Sequence, residues 1–165
     1  MENDKVRLRR YEDDLNVGGI GVILLGAWDS LKVSMQLIME AKNEINLDDY
    51  SDDEHTIAVG VVIAVIAVFL LLIFLVFKIH LYIGINASKA AKRQPYKKGY
   101  YTGAIILLVI SAAGILAYFD KIRDIENIDI TIASFMVDLT TIYILGTVIS
   151  ATRKIRKLKS LHSQE

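Results

Sequence analysis

The sequence predicts an all-α fold: a four-span transmembrane helical bundle with N- and C-termini on the cytoplasmic side. Three observations predict it. Four apolar stretches occupy residues 17–39, 57–77, 102–119 and 130–151. Each comes close to the about 20 mostly apolar residues that cross a hydrocarbon core about 30 Å thick at 1.5 Å per residue. Lysine and arginine gather on alternate sides of these stretches, fifteen on one side against three on the other. The single proline, Pro95, falls between the second and third stretches, so no span is broken. We expect one domain over residues 1–165, with helices over about 17–42, 57–82, 102–120 and 130–152.

Charge sets the orientation. Lys5, Arg7, Arg9 and Arg10 precede the first span, and Lys89, Lys92, Arg93, Lys97 and Lys98 follow the second, with Lys78 at the membrane edge. Arg153, Lys154, Arg156, Lys157 and Lys159 follow the fourth. The other two connections hold Lys42, Lys121 and Arg123 amid Asp48, Asp49, Asp52, Asp53, Glu54, Asp120, Asp124, Glu126 and Asp129. Short loops rich in Lys and Arg stay cytoplasmic, the positive-inside rule, so both ends are expected inside. A formal net charge of +0 conceals this separation. The expected location is the cytoplasmic membrane of a bacterium.

The first span is the most polar. Asp29, Lys32, Gln36, Glu40 and Asn43 interrupt it, and at 100° per residue they fall in one narrow stripe. That geometry suits a helix lying on the membrane surface as well as a span with one polar face. Charge decides between them. If this helix did not cross, the basic N-terminal tail would lie beside the acidic run 48–54, against the positive-inside bias. The segment follows a mixed acidic and basic tail without a small-residue cleavage site, so we read it as retained rather than removed.

The second span has no polar side chain over 61–77 and is expected to face lipid over much of its surface. Residues 87–92 extend its helix, while Lys78 and His80 suit snorkelling at the interface. The third span follows the basic loop. The fourth carries Asp138 with Thr131, Ser134 and Thr141 at i−7, i−4 and i+3, all on one face. Trp28 is expected to pack in the interior, and Tyr50, Tyr82, Tyr96, Tyr100, Tyr101 and Tyr118 to anchor at the interfaces. Gly18, Gly19, Gly21, Gly26, Gly60 and Ala64, with Gly99, Gly103 and the run 111–114, allow helix backbones to approach.

Charged groups inside a bilayer cost on the order of 2.5–3.5 kcal/mol each and are candidates for function. Counted along their helices, Asp29 lies about 18 Å from the inner surface and Asp138 about 12 Å from the outer one. In a core about 30 Å thick these depths coincide. An intramembrane cluster of Asp29, Lys32, Gln36 and Asp138 follows, supported by Ser134 and Thr141. It is either a proton or cation pathway, or a compensated ion pair that fixes helix packing.

Other chemistry finds little support. Cysteine is absent, which excludes disulfides, thiolate metal sites and cysteine nucleophiles. His55, His80 and His162 have no second ligand at metal spacing, and the acidic run 48–55 lacks the glycine and ligand spacing of a calcium loop. No hydrolase, metalloprotease, Walker or Rossmann signature occurs. Ser30 and Lys32, at i and i+2, point to different helix faces and do not make a dyad. Asn86, Ala87 and Ser88 match the glycosylation pattern on the side where it has no meaning. We therefore expect no catalytic residues, no metal and no cofactor.

The basic tails suit anionic lipid headgroups at the inner face rather than nucleic acid. The expected function is non-catalytic, acting by association with a second copy or a membrane partner. The alternative is a small channel, or a proton- or cation-coupled transporter, using the Asp29/Lys32/Asp138 cluster.

Overall fold

The computed structural model describes residues 2–44, 52–121 and 128–162, with side chains placed for residues 4–35, 59–116, 132 and 134–161. They form four helices: α1 (Glu2–Glu44), α2 (Asp52–Ala91), α3 (Tyr100–Lys121) and α4 (Ile128–His162). The all-α class holds. Three stretches, Asp4–Met35, Val59–Ala91 and Ser134–Leu161, are long and apolar enough to cross a membrane. The protein therefore belongs among helical membrane proteins.

Three of the helices run well past the apolar stretches. α1 begins at Glu2 and α4 continues to His162, so the basic tails are helical. The reason lies in spacing. Leu8, Tyr11, Leu15, Gly18 and Val22 recur at three- and four-residue steps, as do Ser134, Asp138, Thr141, Leu145, Val148, Thr152 and Ile155. Each set makes one inward stripe that continues through the charged segment.

α2 stops at Ala91 through a left-handed residue. The Gln94 N–H donates to the Lys89 carbonyl at 2.9 Å and the Arg93 N–H to the Ala90 carbonyl at 3.3 Å. That is a Schellman end, with Arg93 at φ 57° in the place glycine usually takes. An L side chain is strained there.

The described residues cluster into two compact units. The first joins Met1–Leu25 with Ile79–Glu165, and the second is Gly26–Lys78. In the first, α3 packs against α4. Leu15, Val22, Ile83, Ala87, Tyr100, Ala104, Leu145 and Val148 form its core. α1 and α2 meet at Gly19 and Gly84. A Cβ on Gly19 would stand 2.8 Å from the Gly84 carbonyl and 2.9 Å from the Ser88 nitrogen, and one on Gly84 would strike the Gly19 carbonyl. Only glycine fits both positions. Gly18 and Gly21 lie against Val148 and Ile144 of α4.

In the second unit, Trp28 and Leu31 on α1 and most of 61–76 on α2 are exposed. Lys78 places its ammonium 5.3 Å from the Phe74 ring centre, sheltering one face of that ring.

Three expectations are corrected. Trp28 is exposed rather than packed, because the buried positions of α1 run on from Val22 to Gly26 and Trp28 points to the other side of the helix. His80 is buried rather than snorkelling, since it falls one turn before Ile83 on the inward face of α2. Tyr100 is fully buried instead of anchoring at an interface. The side chains of Tyr50, His55, Tyr118 and His162 lie outside the described residues.

Candidate functional site

The pair expected on the first span is present. Lys32 Nζ lies 3.9 Å from Asp29 Oδ1, one turn away, with both side chains less than a fifth exposed. This is a charge contact at its outer limit, too long for a hydrogen bond. The neighbouring hydroxyls bond back along their own helix, Ser30 Oγ to the Gly26 carbonyl and Ser34 Oγ to the Ser30 carbonyl, each at 2.8 Å. The Gln36 side chain lies outside the described residues.

Asp138 belongs to the first unit, where it sits on the inward stripe of α4. Ser134 and Thr141 flank it and are buried, and Asp138 is half-buried. The Thr141 hydroxyl donates to the Val137 carbonyl at 3.0 Å, which keeps its hydrogen within the helix. The supporting polar face expected on α4 is thus one face. Asp29 and Lys32 are described with the second unit, Asp138 with the first.

A denser polar site gathers where the start of α1, the end of α2, the start of α3 and the end of α4 meet. Arg93 donates twice to Glu12, Nε to Oε1 at 2.9 Å and Nη2 to Oε2 at 3.0 Å. This fork joins the α2 end to α1. The Glu12 side chain is nearly buried, whereas Arg93 reaches it from solvent. Hydrogen bonding to the carboxylate, then its charge, raises the Arg93 pKa above its ordinary value. A raised folded-state pKa preserves stability below the unfolded value and loses it only as pH climbs past both. Arg93 therefore stays charged at any physiological pH.

One turn up, Ser88 Oγ donates to Asn16 Oδ1 at 2.6 Å beside the glycine crossing. Asn86 clamps the loop: its Nδ2 donates to the Tyr82 carbonyl at 2.7 Å and its Oδ1 accepts from the Lys97 N–H at 2.8 Å. Thr152 Oγ1 spends its hydrogen on the Val148 carbonyl at 2.7 Å. Tyr100 must then be the donor across the 3.1 Å contact between the two hydroxyls. Arg153 Nε donates to the Tyr101 hydroxyl at 2.7 Å while Arg156 lies 4.6 Å from that ring centre. Lys154 stands 5.0 Å from the Tyr11 ring centre.

From the sequence alone these basic residues read as tails for anionic lipid headgroups, not as partners of residues on other helices. The signal that reading passes over is polar residues inside a helical apolar stripe: Glu12 and Asn16 alternate with Leu8, Leu15 and Gly19, and Asn86 sits between Ile83 and Ala90.

Two clefts open on this end. One is lined by Arg10, Tyr11, Asp14, Tyr143 and Lys154 among others. The other lies between the start of α1 and the end of α4. Neither is lined by Asp29, Lys32 or Asp138. Among the described residues, no three His, Asp or Glu side chains converge to hold a metal ion. Chemically, the arrangement offers fixed cations, hydroxyls and an apolar lining, which suits binding.

Set beside models of protein families, curated proteins and solved structures, the chain matches none of them. What the fold defines is a class, an all-α protein with three helices long and apolar enough to cross a membrane.

Proposed function

We propose that this chain is a four-span, non-catalytic membrane component that acts by association with a second copy of itself or with a membrane partner. Its outer surface carries the reading. The most apolar stretch of α2 has no buried residue, and a Cβ added at Gly60 would meet nothing within 4 Å. Gly114 and Gly146 are equally open. Glycine inside a helix costs about 1 kcal/mol relative to alanine. Gly18, Gly19, Gly21 and Gly84 offset that cost at contacts within the chain; the open glycines do not. Lipid covers apolar side chains but has no special use for a glycine, whereas a second helix does.

The fourth span in this reading is α3, whose 22 residues extend about 33 Å at 1.5 Å each. In this reading the excess of Lys and Arg at one end supports both termini lying in the cytoplasm, and the membrane is the cytoplasmic membrane of a bacterium. The same end would meet anionic headgroups where it enters the membrane. The Asp29–Lys32 contact supports a structural role for the intramembrane charges, since each offsets the other within one helix.

The test is the mass of the purified protein in detergent together with cross-linking in native membranes. The wild type is expected to run as an assembly, and Gly60→Leu with Ala64→Leu to shift it toward the monomer. A monomeric wild type with no cross-linked product overturns association. In liposomes under an imposed potential, the wild type is expected to pass no proton, sodium or potassium. A flux abolished by Asp29→Asn, Lys32→Met and Asp138→Asn together would establish a channel or transporter instead. For topology, cysteines at Ser51 and Ser163 are expected to label from opposite sides with an impermeant reagent.

A further inference from the structure

The cleft between the start of α1 and the end of α4 has a volume of about 790 Å³. Its rim carries Lys5, Arg9, Arg93 and Lys159, and half-buried Leu8 and Leu158 supply apolar surface between them. Asp4 is the carboxylate on the same rim. Even with Arg93 matched to Glu12, the rim keeps a positive excess. Val6, also lining the cleft, is 65% exposed, and Leu161 near the end of α4 is 53% exposed.

Lipid does not reach this place. The first apolar stretch begins at Val17 and the fourth ends at Ala151. Along the helices, Arg9 lies about 12 Å and Lys5 about 18 Å beyond Val17, while Lys159 lies about 12 Å beyond Ala151. The headgroup layer adds only about 5–8 Å to each face of the hydrocarbon core. The cleft therefore stands in water, where exposed valine and leucine are not covered by acyl chains.

We infer that this cleft receives an acidic amphipathic segment of a partner protein, an inference that rests on the association reading. Carboxylates on the segment match the rim of cations, and its apolar face covers Val6, Leu8 and Leu158, the arrangement of a helix seated in a groove. A nucleotide is a poorer fit, because no aromatic side chain lines the cleft to stack on a base.

The experiment uses the full chain in nanodiscs of neutral phosphatidylcholine and a fluorescent peptide of leucine and glutamate patterned as an amphipathic helix. Anisotropy at physiological salt is expected to show saturable binding. A scrambled peptide of the same composition is expected to bind about tenfold more weakly. Reversing Lys5, Arg9 and Lys159 to glutamate together is expected to weaken binding about tenfold or more, since three ion pairs change sign. Val6→Ser is expected to weaken it a few-fold. Lys5→Gln with Arg9→Gln guards against a folding defect, and its helix content and melting are expected to match the wild type.

Absent binding, or binding that ignores the charge reversals, overturns the inference. Equal binding of the scrambled peptide, with full displacement by inorganic pyrophosphate, overturns it in favour of a simple anion site. Displacement by anionic lipid in the disc overturns it in favour of a headgroup site. If the charge-reversed chain still assembles as the wild type does while peptide binding is absent, the cleft fails and association stands. Saturable, charge-dependent peptide binding by a monomeric chain that cross-links to nothing leaves the cleft standing and removes the association reading.

Discussion

In the first unit, Glu12, Asn16, Tyr100 and Arg153 reach across to Arg93, Ser88, Thr152 and Tyr101 on other elements. In the second, the hydroxyls of Ser30 and Ser34 turn back to carbonyls one turn earlier, and Lys32 meets Asp29 on the same helix. The distinction is between bonds that fix which helices lie together and bonds that only quiet a polar group. In lipid, apolar burial drives little association, so close packing and interhelical hydrogen bonds decide helix pairing. By that measure the named bonds tie the first unit together, while the second carries exposed apolar side chains along 61–76 of α2 that lipid or another chain can cover.

The largest expected effect tests the glycine crossing that anchors this contrast. Gly84→Ala places a methyl on the Gly19 carbonyl and Ile23, and backbone cannot step aside as a side chain can. The loss is expected at about 3 kcal/mol, the upper range for overpacking, read as a fall in the thermal midpoint of circular dichroism in detergent. Gly21→Ala, which meets only the Ile144 side chain, is expected to lose less. Equal losses would mean that the crossing is no tighter than an ordinary side-chain contact.

Arg93 comes next, because its two roles oppose each other. Its guanidinium stabilises the α2 end through Glu12, while its backbone occupies a left-handed conformation that strains any side chain. Arg93→Ala keeps the strain and discards the pair; Arg93→Gly discards both. The alanine variant is expected to melt lower than the glycine variant, and both below the wild type. A glycine variant more stable than the wild type would show that the fork contributes less than the strain costs.

Smaller again is Tyr100→Phe. It removes the donor to Thr152 in a buried setting and is expected to cost about 1 kcal/mol. Its counterpart in the second unit is Ser30→Ala, expected to leave the midpoint unchanged or raise it slightly, since such back-bonding contributes nothing between helices. A matching loss at both positions would erase the distinction between the two units.

Much of this could be read in advance, and the reasons for the rest are physical. The apolar stretches and the position of Pro95 reveal helices of membrane length because both follow from local composition. Ser134, Asp138 and Thr141 share a face because a helix fixes that regardless of what it packs on. Glu12 with Arg93, and Asn16 with Ser88, escape such reading because partners more than seventy residues apart are chosen by the crossing of α1 and α2. The crossing itself depends on which of ten glycines face each other, and spacing along one helix does not say. Burial of His80 follows from the inward face of α2 and that of Tyr100 from its contact with Thr152 on α4, and a partner on another helix is again what spacing along one helix does not reveal. The expected depth match between Asp29 and Asp138 compares positions along the membrane normal only and carries no information about separation across it.

The smallest effect has the most direct bearing on the open face of the second unit. Gly60→Ala puts a methyl where nothing lies within 4 Å, so nothing in the chain opposes it. Helix propensity alone then favours alanine by up to about 1 kcal/mol, and a monomeric sample in excess detergent is expected to melt slightly higher. Gly60→Leu tests the same position in the assembled state. Its bulk pushes away any helix that uses the glycine as a point of approach, so cross-linking in native membranes is expected to fall while the monomer's melting does not. If both substitutions leave cross-linking intact, Gly60 faces lipid in the assembly as well. The contact between chains would then have to use Gly114 or Gly146, which are open in the first unit, and the same pair of substitutions at those positions would locate it.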